Sequence, residues 1–262
     1  MMRSLWTAAS GMVAQQSNLD VVSNNLANVN TTGFKKSRTD FQDLMYQTLR
    51  QAGTVTGDDN QVPSGIQIGH GVRQVATQKI YTQGSFQSTG NSYDIAIEGD
   101  GFFQIAMPDG TIAYTRDGSF KTDSDRRLVT SDGYPLEPEI AIPAEATDFT
   151  VSAEGVVSAK MPGQEEPEEI GQIELARFVN PAGLDSVGRN LLKETAASGA
   201  PVISNPDTDG AGTLLQKYVE MSNVQVVEEM VNMIVAQRAY ETNSKAITTS
   251  DEMLGLANGL KR

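Results

Sequence analysis

The segment SNVQVVEEMVNMIVAQRAYETNSKAITTSDEMLGLANGLKR, residues 222–262, decides the reading of the fold. Val226, Met233, Tyr240, Ile247 and Leu254 recur every seven residues without a break, the signature of one helical seam. Val227, Met230, Ile234 and Ala246 widen the apolar face. Ser222 and Gln225 have the spacing of a capping box, with Ser222 as N-cap and Gln225 reaching back. Glu228 and Glu229 stand early and Lys261 and Arg262 last, both favourable to the helix dipole. The spacing predicts a helix over about 223–257.

The opposite end carries a matching pattern. Leu5, Met12, Leu19 and Leu26 are spaced by seven, with Ala8, Val22 and Val29 three residues after members of that set and Gln15 interrupting. Asn28-Val29-Asn30-Thr31-Thr32-Gly33 ends the segment, because Asn and Gly tolerate positive φ and β-branched Thr weakens a helix. A single narrow seam does not hold an isolated helix; packing of its apolar face does. The two ends are therefore expected to pair as a coiled-coil-like, discontinuous helical domain, residues 1–33 with 222–262. Small outer positions (Ala236, Ser244, Ser250, Ala257) allow helices from other copies to approach, although periodicity alone is also met by a pair that goes no further.

Between the helices the pattern is β. Ser92–Glu98 alternates, Phe102–Met107 follows a Gly99-Asp100-Gly101 turn, and Pro108-Asp109-Gly110-Thr111 has hairpin chemistry, Asp-Gly supplying the positive φ. Ile112–Thr115 continues it, and further strands are expected near 127–130, 149–152, 155–160 and 170–179. Turn signals every 8–12 residues suit an antiparallel sandwich or barrel, so residues 76–221 are read as a β-rich outer domain. Residues 161–169 read as an acidic, Pro-punctuated loop. Residues 34–75 read as a linking, extended segment, with some helical spacing over Phe41–Leu49 and a loop from Gly53 to Asn60. The fold class is α+β: a β domain inserted between two terminal helices.

Charge follows the same division. Of a formal net charge of −13, residues 51–213 hold −14, against +2 for 1–50 and −1 for 214–262. An acidic middle repels phosphates, so nucleic acid is excluded as a partner. The chain has no Cys, which suits passage to an oxidising compartment without stray disulfides. The start lacks the apolar core of a secretory signal, so any export is expected to use no cleavable signal peptide.

Catalytic chemistry finds little to build on. His70 is the only His and sits between Gly69 and Gly71, a poor place to hold a base. Thiolate and His-rich metal sites are impossible. Asn205-Pro206-Asp207-Thr208-Asp209-Gly210 resembles the start of a calcium loop, but Gln216 stands where a bidentate Glu belongs, and a polar turn is the plainer reading. Glu165, Glu166, Glu168 and Glu169 read as a solvated run, not a carboxylate pair across a cleft. No enzyme, cofactor or metal is expected. A peptidoglycan-acting protein or a secreted adhesin remains as the alternative of another class.

Three segments resemble a known family. Asn24-Asn25-Leu26-Ala27-Asn28-Val29-Asn30-Thr31-Thr32-Gly33-Phe34-Lys35 is similar to the N-terminal signature of the bacterial flagellar rod and hook proteins. Val231–Glu241, which includes Gln237 and Arg238, is similar to their C-terminal signature, and Asp94–Phe103 with Tyr114–Phe120 to their β domain. Segments 43–51 and 63–73 carry a closer likeness to the distal-rod branch than to proximal rod or hook subunits, which stand as the alternative within the family. One departure is visible: similar proteins tend to place Gly shortly before Leu-Val-Thr, where this chain has Asp125-Arg126-Arg127-Leu128.

The resemblance implies a structural subunit of the distal rod in the flagellar basal body. It would be exported by the flagellar type III apparatus and polymerise across the periplasm into a helical tube that carries motor torque to the hook. Its partners would be itself, proximal rod subunits, the hook or hook junction, the peptidoglycan and outer-membrane ring proteins, and the export apparatus. Leu5, Met12, Leu19, Val22, Leu26, Val226, Met233, Tyr240, Ile247 and Leu254 would form the helical core between subunits. Asn25, Asn28, Gly33, Phe34, Gln237 and Arg238 are the motif positions.

Overall fold

A computed structural model describes residues 2–53, 63–146, 148–162 and 167–259. The class is α+β: helix α1 (Met2–Ala27) opens the chain, helix α2 (Val226–Gly259) closes it, and the region between them is β-rich. The chain divides into two compact units. The terminal unit comprises residues 1–27, 37–78 and 225–262, and the β unit comprises 28–36 and 79–224.

In the terminal unit the two helices pack side by side. Ser4 Oγ lies 3.3 Å from Ser250 Oγ, a Cβ at Gly11 would sit 2.8 Å from Asn243 Nδ2, and Asn25 Nδ2 donates to Glu229 Oε2 at 3.2 Å. One number of each pair rises by seven or fourteen as the other falls equally, so the helices run antiparallel. Strand Ser37–Asp43 pairs with Val72–Lys79, and Tyr46–Arg50 runs antiparallel to Ile66–Gly69.

Residues 41–43 and 46–49 thus lie in strands, not in a helix. Phe41, Leu44, Met45 and Leu49 have helical spacing, but the ladder offered by Ile66–Gly69 outweighs that local signal. The loop expected at 53–60 lies, beyond Gly53, outside the described residues.

Helix α2 also starts later than its sequence suggests, and no capping box forms. The Ser222 hydroxyl accepts from Val224 N–H at 3.3 Å. The Asn223 carboxamide is spent on Lys36 N–H (2.7 Å) and the Ile80 carbonyl (2.8 Å). These bonds hold 222–224 in the β unit, and Glu229 N–H to Gln225 O, at 3.0 Å, is the first helical bond.

The β unit is built on a seven-stranded sheet. Its path runs through strands 185–188, 191–193, 112–115, 102–106, 175–177 and 202–204, with 136–137 also on 102–106. Strands 148–151, 156–160 and 168–172 form a second sheet, and 95–98 pairs with 213–216. Glu168 and Glu169 therefore lie in a strand, where the sequence suggested a loop; Glu165 and Glu166 lie outside the described residues. Ile95, Ile97, Phe103, Ile105, Phe120, Leu128, Leu136, Ile173 and Leu175 form one fully buried cluster. Phe103 meets Phe120 edge to face at 5.0 Å between ring centres.

The Asp125-Arg126-Arg127 turn has a backbone that suits Gly. Arg126 takes φ +57, with its N–H on the Asp123 carbonyl and its own carbonyl accepting from Ile142 N–H. A left-handed non-Gly residue costs roughly 1–2 kcal/mol. The Arg126 side chain recovers part of that through a 2.9 Å bond to the Ala144 carbonyl. Arg126→Gly is expected to stabilise the β unit by up to about 1 kcal/mol. Arg126→Ala keeps the strain, loses the bond, and is expected to destabilise. Urea midpoints of the two variants, shifted in opposite directions, check this.

Candidate assembly surface and its buried anchors

Apolar burial is divided unequally between the units. Among the described residues, the buried apolar side chains of the terminal unit are Ala8, Ala14, Val22 and Ala236, none larger than Val. The same unit leaves Trp6 73%, Met45 86%, Leu49 56%, Val227 77%, Ile234 55% and Val235 62% exposed. Covering a side chain of that size stabilises by about 1.5–3 kcal/mol. A unit that forgoes so much burial carries surface suited to partners.

The exposed side chains are ordered along α2. Val227, Met230, Val231, Ile234 and Val235 make one stripe, at spacings of three and four. The face turned to α1 is different: Glu229, Ala236 and Ser250 are its buried members, with Met233, Asn243, Ile247 and Leu254 half-buried. Val227, Met230 and Ile234 therefore do not widen the face that meets α1. They belong to a second face on the far side. On α1, Trp6 and Val13 border a groove with Ala9, Ala14, Val72 and Arg73.

The residues expected at the helical core fall into two groups in the single chain. Val22 is buried; Leu5, Met12, Leu19, Leu26, Met233, Ile247 and Leu254 are half-buried; Val226 and Tyr240 are exposed. The motif residues separate as well. Asn25 is buried, Asn28 shapes the turn after α1 by taking the Thr31 N–H, and Phe34 is half-buried. Gly33 has φ +68, and a Cβ there would press on the backbone of Arg116 and Asp117. Gln237 and Arg238 face solvent, Arg238 pairing with Glu241 at 3.4 Å. His70 is exposed. Residues 205–210 form a polar turn in which the Arg177 guanidinium donates to the Asp209 carbonyl.

Two buried polar nodes, neither visible as a set in the sequence, hold the chain where it passes between helix and strand. In the β unit, Glu220 is 1% exposed and accepts from Lys35 Nζ at 2.5 Å, Arg116 Nη1 at 3.1 Å and Gly84 N–H at 2.8 Å. Lys35 also donates to the Thr82 carbonyl, Arg116 to the Gly99 carbonyl, and Gly33 N–H to the Glu220 carbonyl. Burial pulls the Lys35 amine below its ordinary range, against the opposing pull of Glu220. Lys35 and Arg116 lie inside motif segments, whereas nothing local marks Glu220. In the terminal unit, Asn25 brackets Ser37, taking its N–H and giving to its carbonyl, each at 2.9 Å, and turns its remaining N–H to Glu229.

Comparison with known proteins agrees with these features. Residues 5–35 match the model of the flagella basal body rod protein family, 96–159 the flagellar hook protein FlgE/F/G D1 domain, and 215–260 the flagellar basal body rod FlgEFG protein C-terminal domain. The chain is 60% identical over 264 residues to flagellar basal-body rod protein FlgG of Borreliella burgdorferi, covering the whole of both chains. It is 49% identical over 261 residues to the protein of that name from Caulobacter vibrioides, covering 99% of this chain and 100% of the relative. With the Bacillus subtilis protein of that name identity is 43% over 270 residues, again the whole of both.

Glu220 is a shared counter-ion, so its loss should cost more than the loss of one cation. Glu220→Leu leaves two buried cations unpaired and is expected to destabilise the β unit by about 3–5 kcal/mol. Lys35→Met leaves Arg116 on the carboxylate and should cost less. Thermal denaturation of both variants gives the order. A pH test uses Tyr81, whose hydroxyl is buried without a hydrogen-bond partner among the described residues and whose burial pushes it up to about 12. The unfolded chain then releases this proton first, so stability is intact below pH 10 and falls between 10 and 12. Tyr81→Phe should be neutral at pH 8 and about 2–3 kcal/mol less sensitive across that window, as read by urea titration at each pH.

Proposed function

The chain belongs to the FlgG family of flagellar basal-body rod proteins, and from that premise we propose how it acts as a subunit of the distal rod. It is a structural subunit of the rod, and its family is not one of enzymes. The subunits polymerise head to tail into a helical tube, since a heterologous contact that does not close on itself builds a filament. The helix pair forms a coiled-coil-like inner layer, and the β unit, folded as a sandwich, forms the outer layer. Torque passes along this shaft from proximal rod subunits to the hook or hook junction. The shaft turns within the peptidoglycan and outer-membrane rings after export of its subunits, without cleavage, by the flagellar type III apparatus.

One observation carries this reading: among the described residues, the terminal unit leaves most of its large apolar side chains exposed and, of its apolar side chains, fully buries only Ala and Val. A second copy of the chain, offering the same surfaces, supplies the missing core. The acidic outer region, −14 over residues 51–213, keeps the shaft from adhering to an acidic surround. The nearly neutral ends meet without self-repulsion.

The paired substitution Val231→Lys and Ile234→Glu places good helix formers on the outward stripe of α2. It is expected to leave the thermal transition of the β unit unchanged and to abolish large species in sedimentation velocity, and cells carrying it should not swim. Normal motility with the doubly substituted chain would reject the stripe as the assembly surface.

A further inference from the structure

The outward stripe of α2 has a counterpart on α1. Trp6, Ala9, Ser10, Val13, Ala14 and Ser17 recur at helical spacing and, with residues 72–74 of the adjacent strand, line an apolar groove of about 410 Å3. Ala14 is buried and Ala9, Ser10 and Ser17 are half-buried, so small side chains make the floor; exposed Trp6 and Val13 make the rim. Ser10 Oγ holds the strand wall in place by accepting Val72 N–H at 3.4 Å. At 100° per residue the groove is centred about 120° round α1 from Ser4, Gly11 and Asn25, which meet α2. The stripe is centred about 160° round α2 from Glu229, Asn243 and Ser250, which meet α1. Each surface is turned away from the other helix, so one chain cannot seat its own stripe in its own groove.

We infer that the groove on α1 is the receptor for the α2 stripe of the next copy of the chain. The inference rests on the reading of the stripe as the assembly surface and names the surface it meets. Length agrees: at 1.5 Å per residue the groove runs about 17 Å from Trp6 to Ser17, and the stripe about 12 Å from Val227 to Val235. Past Val235 the same side of α2 carries exposed Arg238, Glu241 and Lys245, so the apolar insert ends within the length of the groove. Charge agrees as well. Arg73 stands in the strand wall and Glu228 beside the stripe, and the two chain ends carry opposite net charge, +2 over 1–50 and −1 over 214–262. The ribbon of 46–50 and 66–69 makes a poorer insert, because its apolar side chains are split between two faces: the Tyr46 ring lies over Gly69, and Ile66 and Ile68 point the other way. A stripe that met a stripe would close at two copies, whereas a stripe in a groove leaves one of each surface free and addition continues. The contact also carries a step. Within the chain, the contacts 4–250, 11–243 and 25–229 set Val231 level with Ser23 of α1. The groove is centred near Met12, so a neighbour whose helices keep the same sense sits about 11 residues, or about 17 Å, nearer the start of α1. A sideways contact with that step winds a helix, where a level one would close a ring.

The chain has no native Cys, so engineered ones report the contact directly. Full-length chain carrying both Val13→Cys and Met230→Cys, made alongside the native chain so that rods form, is oxidised in isolated basal bodies and run on a denaturing gel. Ser17→Cys with Val227→Cys gives a second pair at the other end of the stripe. Cross-linked dimers and higher species are expected from either pair, about tenfold above each single substitution, and maleimide labelling of Met230→Cys should fall by a similar factor from free chain to rod. Dimers from Met230→Cys alone overturn the inference, since stripe would then meet stripe, and leave the assembly surface standing. Protection of Met230→Cys in the rod with neither pair cross-linking does the same, because another surface then covers the stripe. Equal labelling in the free chain and in the rod overturns both the groove and the reading of the stripe on which it rests.

Discussion

Apolar side chains that find no core within a chain must find one outside it, and this constraint organises the whole molecule. The β unit closes its own core around Phe103, Phe120, Leu128 and Leu175. The terminal unit does not: among the described residues its two long helices fully bury only Ala8, Ala14, Val22 and Ala236 of their apolar side chains, with Met12, Leu19, Met233, Ile247 and Leu254 half-buried. That is a poor bargain for a free monomer and a sensible one for a subunit. Helices that bury their larger apolar side chains only in part keep adhesive surface for a neighbour.

Such a subunit needs its passages between helix and strand to be well defined, and polar groups provide this. Two cations and a backbone N–H converge on the Glu220 carboxylate, and the Gly33 turn is tied to the Glu220 backbone carbonyl. A buried ion cluster adds little net stability over an apolar one of the same shape, but breaking it is expensive. Its value is definition: the segment 28–36 can lie on the β unit in only one way. Asn25 does the same in the terminal unit, fixing strand Ser37–Asp43 against α1 through both backbone groups of Ser37.

Much of this was legible in the chain. The seven-residue recurrence from Val226 to Leu254 marks α2, and Asp109-Gly110 marks its hairpin, where Gly110 adopts φ +77. The resemblance of residues 24–35 and 231–241 to the rod and hook signatures led to the family that full-length relatives bear out. Local patterns failed where the partner lay far away. Residues 41–49 have helical spacing, yet 41–43 belong to a strand paired with 72–79 and 46–49 to one paired with 66–69. The apparent capping box at 222–225 was dismantled because Asn223 is engaged by Lys36 and Ile80, each more than a hundred residues distant.

The sequence by itself determined the two terminal helices, strands such as those at 102–106 and 156–160, and where apolar residues recur, because those properties follow from local propensity and spacing. It determined the family through residue identities in three short segments. Only the tertiary structure decided which apolar face of α2 is spent inside the chain and which is left outside. Heptad spacing is satisfied by both the half-buried set at 233, 247 and 254 and the buried set at 229, 236 and 250, while the stripe at 227–235 is equally regular. Which set lies inward depends on contacts between α2 and α1, such as that of Asn25 with Glu229, 204 residues apart. No pattern within one helix records a contact of that range.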